Sequence, residues 1–127
     1  MGERDSKDLK VLLVEDFEDT RLFLRLALED HGFIVFEAEN GEVAVQNANR
    51  DKPDVILMDL TMPQMDGFAA AKAMRQMDQL KNVPIIAITA HQETDFRSDA
   101  KASGFDAYVT KPVDVIWLKD LINGLLI

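Results

Sequence analysis

The sequence predicts an α/β fold built on a doubly wound, five-stranded parallel sheet, and three observations support this. Five short apolar segments recur along the chain. Three of them are continuous rather than alternating in apolarity, the pattern of strands buried on both faces. Stretches of helical periodicity lie between them, and strand–helix alternation implies parallel strands with helices on both faces of the sheet.

Residues 1–9 are polar and read as a flexible N-terminal tail, ahead of one domain over 10–127. The first strand is Val11-Leu12-Leu13-Val14, and the helix predicted over 20–31 follows it. On a wheel of about 100° per residue, Phe23, Leu24, Ala27 and Leu28 fill one arc, enough to cover a sheet. Arg21, Arg25 and Glu29 mark the wet side, with Leu22 and Leu26 beside it. Ile34-Val35-Phe36 is a shorter second strand, and a helix over 41–49 follows an Asn-Gly turn. Val55-Ile56-Leu57-Met58 is the third strand, and an Ala- and Met-rich helix covers 68–77. Ile85-Ile86-Ala87-Ile88 is the fourth, with a helix over 93–102 that stops at Ser103-Gly104. Ala107-Tyr108-Val109 is the fifth, and Asp114 caps a last helix over 115–126.

Composition narrows the function. A chain of 127 residues, 47% apolar, suits one domain with a real core. It has no apolar run near the ~18 residues of a membrane span. It opens on no signal segment, so export is not expected and the expected compartment is the cytoplasm. Met1-Gly2-Glu3-Arg4-Asp5-Ser6 matches a myristoylation pattern, but so short a match reads as a polar tail or a cloning remnant. The absence of cysteine removes disulfides, thiol catalysis and cysteine zinc sites. A net charge of −9 disfavours nucleic acid and anionic membranes, and suits a divalent cation.

Open sheets of this class bind ligands beyond the carboxyl ends of their strands. The polar residues of interest all fall there. Glu15 and Asp16 follow the first strand, Asp59 ends the third, Thr89 ends the fourth and Lys111 follows the fifth. Taken singly, Glu15-Asp16 reads equally as a helix cap, Thr89 as a strand end and Lys111 as a solvated lysine. Asp59 is harder to dismiss, because burying a lone carboxylate is costly. Three carboxylates within about 6 Å do not all ionise without a counter-charge. Oxygen-only ligation points to Mg²⁺ or Mn²⁺, and Lys111 adds a further positive charge. Such a pocket suits phosphoryl transfer to a carboxylate, with the Thr89 hydroxyl within reach of a phosphoryl oxygen.

The motifs Val11-Leu12-Leu13-Val14-Glu15-Asp16, Met58-Asp59-Leu60-Thr61-Met62-Pro63-Gln64-Met65-Asp66-Gly67, Ile86-Ala87-Ile88-Thr89-Ala90 and Tyr108-Val109-Thr110-Lys111-Pro112 resemble those of the receiver domain of two-component response regulators. Thr89 and Lys111 lie 30 and 52 residues after Asp59, spacings that also resemble the family. The resemblance covers residues 10–126. It implies a flavodoxin-like strand order of 2-1-3-4-5, with Asp59 as phosphoacceptor, charged by a histidine kinase or a histidine phosphotransfer protein. It further implies Mg²⁺ held by Glu15, Asp16, Asp59 and the Thr61 main-chain carbonyl, Lys111 paired with Asp59, and Thr89 with Tyr108 as a switch pair. The Lys111–Pro112 peptide would be cis, and small Ala90 would leave room for the phosphoryl group. The family usually has two aspartates where this chain has Glu15-Asp16, with glutamate, one methylene longer, a frequent alternative, so the metal site is retained.

His31 reads as a half-buried packing residue, and Trp117 as partly packed on the sheet. Thr61 and His91 are expected to flank the attacking water and tune the lifetime of the phospho-form. Leu22 and Leu26, with Pro112, are expected to dock the phosphohistidine partner. Output is expected through a downstream effector protein, with the chain a monomer or a dimer formed on phosphorylation. Two other readings remain open at this point. A Mg²⁺-dependent phosphatase with an aspartyl nucleophile commonly has a second acid where this chain has Thr61. A degenerate receiver acting only as an interaction module would lack positions that are all present.

Overall fold

The computed structural model describes residues 9–60, 66–90 and 104–126. Five strands alternate with helices: β1 (Lys10–Val14), β2 (Ile34–Ala38), β3 (Val55–Asp59), β4 (Ile85–Thr89) and β5 (Ala107–Thr110). The helices are α1 (Glu18–Asp30), α2 (Gly41–Asp51), α3 (Asp66–Arg75) and α4 (Val115–Leu126), with a 3₁₀ turn at Asp78–Leu80. All strand pairs are parallel, in the order β2-β1-β3-β4-β5. Val14 pairs with Ala38 on one side and Met58 on the other, so strand order reverses at β1. The helix expected over 93–102 lies outside the described residues, as do residues 1–8 of the expected tail. Leu9, assigned to that tail, belongs to the core, 3% exposed.

Side-chain alternation divides the interior into two layers. Leu12, Val14, Ile56, Met58, Ile85 and Ala87 face Ala44, Ala48, Ala71 and Met74 of α2 and α3. Val11, Leu13, Val55, Leu57, Ile86 and Ile88 face Leu24 and Leu28 of α1 and Leu118 and Ile122 of α4. Every residue of β3 and β4 is buried, which accounts for their unbroken apolar runs up to the polar residue that ends each. Gly67 lets α3 close down on the end of β3. A Cβ there would lie 2.6 Å from Leu60 Cδ2 and 3.1 Å from Met58 Cγ.

Helix boundaries follow local chemistry. Asn40 caps α2 by accepting the Val43 N–H at 2.8 Å, so the Asn-Gly pair opens the helix rather than preceding it. Asp114 Oδ1 caps α4, accepting from Ile116 and Trp117 at 3.0 and 3.1 Å. α1 starts two residues earlier than expected, with Glu18 and Asp19 favoured by the dipole of its first turn. Its inward face also differs. Leu24 and Leu28 are buried, but Phe23 is 67% exposed. Arg21 and Arg25 are half-buried rather than wet, because both reach across to Glu37 on β2 and turn the inward arc away from Phe23. His31 is half-buried as expected, with Nδ1 3.1 Å from the Ala27 carbonyl. Trp117 is 53% exposed, so it packs less on the sheet than its sequence position implied.

Arg75, not singled out by sequence, ties together the edge opposite the carboxyl ends. Its guanidinium donates to the carbonyls of Leu80, Lys81, Val83 and Gly104 and to Asp106 Oδ2. Asp106 Oδ2 also accepts the Ile85 N–H at 2.9 Å, joining the start of β4 to that of β5. Gly104 has φ of 103°, and a Cβ there would meet Arg75 Cγ at 2.8 Å. Arg75→Ala leaves several carbonyls without a donor and should destabilise the domain by about 2–3 kcal/mol. Urea unfolding checks this, and Arg75→Lys should recover little, since an ammonium lacks the planar fork.

Candidate functional site

The carboxyl ends of β1, β3, β4 and β5 meet at the point where strand order reverses, the place where such sheets bind ligands. Asp59 ends β3 with a fully buried side chain, 0% exposed. Lys111 follows β5, and its Nζ lies 2.9 Å from Asp59 Oδ2. The Lys111 N–H donates to the Thr89 carbonyl at 2.8 Å, so the lysine backbone is hung from the end of β4. The Lys111–Pro112 peptide is cis. Thr89 is itself buried and pairs with Thr110. Tyr108 pairs with Ala87, which places it on the same sheet face as Thr89, two positions back. It is half-buried and lines a groove of about 480 Å³ with Pro112, Asp114 and Trp117.

Glu15 lies beyond the end of β1 and is 2% exposed. Its Oε2 accepts the Phe17 N–H at 2.9 Å, while Oε1 is buried without a hydrogen-bond donor. Burial, then contact with Asp59, raises its pKa from the ordinary 4.5 to about 8, against the lowering effect of the Phe17 N–H. Two carboxyls in contact share a hydrogen bond only when one of them holds a proton. Asp16 is exposed, and its side chain adds to the upward push on Glu15.

The structure therefore brings Glu15, Asp59 and Lys111 together, with Asp16 at the rim. No three Asp, Glu or His side chains among the described residues are grouped at metal-ligand spacing. The donor set still fits a hard cation. It offers oxygen only, and it leaves a buried carboxylate oxygen without a donor beside a second buried carboxylate. Thr61 and His91 lie outside the described residues. Sequence reasoning missed Arg21, whose Nη1 donates to the Glu15 carbonyl at 2.9 Å.

Residues 11–123 match the model of the response regulator receiver domain. The chain belongs to that family. The receiver is 39% identical to protein PilH of Pseudomonas aeruginosa over 118 residues, 92% of this chain and 97% of that protein. Its fold is similar to that of chemotaxis protein CheY4 of Vibrio cholerae, with a TM-score of 0.88, 32% identity, and 94% and 99% of the two chains covered. It is also similar to the receiver domain of a sensor histidine kinase from P. aeruginosa, with a TM-score of 0.85, 30% identity, and 94% and 98% covered. That structure holds a magnesium ion in its active-site cleft. Receivers of this type act in phosphorylation-dependent two-component signalling, and Mg²⁺ binding and an aspartyl phosphate are general properties of the family. Receivers interact with histidine kinases or phosphotransfer proteins and with effectors. No helix among the described residues is long and apolar enough to cross a membrane.

The raised Glu15 pKa has a consequence for stability without divalent cations. Between pH of about 4.5 and about 8, folded Glu15 keeps a proton that the unfolded chain has lost. Stability should therefore fall as pH rises through that window. Thermal unfolding in chelator at pH 5.5 and 8 checks the slope, which Glu15→Gln should reduce.

Proposed function

We propose that Asp59 accepts a phosphoryl group from a phosphohistidine protein in a Mg²⁺-dependent reaction, and that the phospho-form switches conformation to control a partner protein. The single observation that carries this reading is the fully buried Asp59 carboxylate held 2.9 Å from Lys111 at the reversal of strand order. One Asp59 oxygen attacks phosphorus, the P–N bond to imidazole breaks, and a P–O bond forms. The Lys111 ammonium, already aimed at Asp59, moves its attraction to the phosphoryl oxygens as negative charge collects there. Glu15, Asp16, Asp59 and the Thr61 carbonyl would hold Mg²⁺, or Mn²⁺, which when bound neutralises charge on those oxygens. Glu15 gives up its proton when the cation site fills, because its pKa is raised only while its charge is uncompensated.

Thr89 and Tyr108 form the switch. The buried Thr89 hydroxyl turns toward the new phosphoryl group, and the Tyr108 ring moves into the space released on the same sheet face. Thr61 and His91 tune hydrolysis of the acyl phosphate. The phosphohistidine partner docks on α1. Leu22 and Leu26 are 44% and 52% exposed and four residues apart, and Phe17 and Phe23 are exposed on the same segment. Pro112, also exposed, borders the site from the β5 side. The receiver works as a monomer or as a dimer formed on phosphorylation, in the cytoplasm.

Two donors separate the chemistry from the docking. Acetyl phosphate with Mg²⁺ should add one phosphoryl group to the wild type by intact mass, and none to Asp59→Asn or to wild type in chelator. Leu22→Ser with Leu26→Ser should slow transfer from the cognate phosphohistidine protein at least tenfold and leave acetyl phosphate labelling unchanged. Full labelling of Asp59→Asn would overturn the acceptor, and equal slowing with both donors would return the leucines to the core.

A further inference from the structure

The backbone of Glu15 is tied on both sides. Its N–H donates to the Ala38 carbonyl on β2 at 3.1 Å. Its carbonyl accepts from Arg21 Nη1 at 2.9 Å. Arg21 is itself held: its Nε donates to Glu37 Oε1 at 3.1 Å, and its backbone N–H closes the first turn of α1 on the Phe17 carbonyl at 2.9 Å. Glu37 is fixed in turn by Arg25 Nη1 on its other oxygen at 2.7 Å, and by Asn47 on its main-chain carbonyl at 3.2 Å. The Arg21 side chain is 17% exposed, so these bonds form largely out of water. Arg21 thus bridges β2 and the loop that presents Glu15 and Asp16, and one planar guanidinium makes both contacts.

We propose that Arg21, locked by Glu37, is the positioning residue for the Glu15-Asp16 pair and sets the affinity of the site for a divalent cation. This rests on the cation site of the reading above. Charge alone predicts the opposite sign, since a guanidinium beside a cation pocket disfavours the cation. Weaker cation binding on removal of Arg21 is therefore a signature of geometry. Arg25 provides the control, because its guanidinium shares Glu37 and otherwise pairs with Glu29 on its own helix, whereas Arg21 reaches the Glu15 carbonyl.

Mg²⁺ titration of the full chain, followed by amide chemical shifts, tests the proposal in wild type, Arg21→Gln, Arg21→Lys and Arg25→Gln. Arg21→Gln and Arg21→Lys should each raise the Mg²⁺ Kd roughly tenfold, the scale on which partners of metal ligands act. Arg25→Gln should stay within about twofold of wild type, a gap well above its share of the exposed-pair effects. Acetyl phosphate labelling of Arg21→Lys should recover to near the wild-type rate at saturating Mg²⁺, since the acceptor and Lys111 are untouched. Tighter or unchanged Mg²⁺ binding by Arg21→Gln overturns the proposal, as does a wild-type Kd in Arg21→Lys or an equal loss in Arg25→Gln. A wild type that binds no Mg²⁺ would overturn the proposal together with the reading beneath it, whereas a binding wild type with indifferent Arg21 variants overturns the proposal alone.

Discussion

The ion pair between Lys111 and Asp59 is the interaction on which the rest of the site depends. A carboxylate with no solvent exposure costs several kcal/mol unless it is paired. Lys111 meets part of that cost at 2.9 Å, but Glu15 also contacts the same carboxylate. The cluster is therefore short of positive charge. Burial and contact with Asp59 push the Glu15 pKa up to about 8, so a proton there relieves the shortage, and a bound cation would relieve it with greater charge. That shortage is what supports reading Asp59 as the proposed phosphoryl acceptor rather than as half of a buried structural pair.

The scaffold is arranged to keep this cluster in place. β3 and β4 are buried throughout, so their ends hold Asp59 and Thr89 with little freedom. Lys111 is hung from the Thr89 carbonyl, and Glu15 from the Ala38 carbonyl. At the opposite edge, Arg75 gathers the carbonyls of the turn before β4 and the loop before β5. One arginine at each edge thus fastens backbone that no strand pairing reaches: Arg21 at the functional edge and Arg75 at the other.

Much of this was legible in the sequence, for physical reasons. Continuous apolar runs marked buried strands, and the polar residue closing each run marked the crevice, so Asp59, Thr89, Lys111 and Glu15 could be named in advance. Strand order was not legible from periodicity and came through the family resemblance. The face of α1 was misjudged at Phe23, Arg21 and Arg25 because a wheel counts only local apolarity. Glu37 lies on another strand, and its pull on both arginines is invisible to any local pattern. Arg75 escaped for the same reason, since Asp106 is distant in sequence and its other partners are main-chain carbonyls, which leave no trace in side-chain identity. The local hint was Ser103-Gly104, read as a helix stop and not as space for a guanidinium.

The most direct test of Asp59 as acceptor is to locate the phosphoryl group chemically in the unmodified wild-type chain. After transfer from a phosphohistidine protein, borohydride reduces an aspartyl phosphate to homoserine, which peptide mass spectrometry can place. Homoserine at position 59, and only in samples that received Mg²⁺, is the predicted result. A label on another residue, or transfer that leaves position 59 as aspartate, would contradict it.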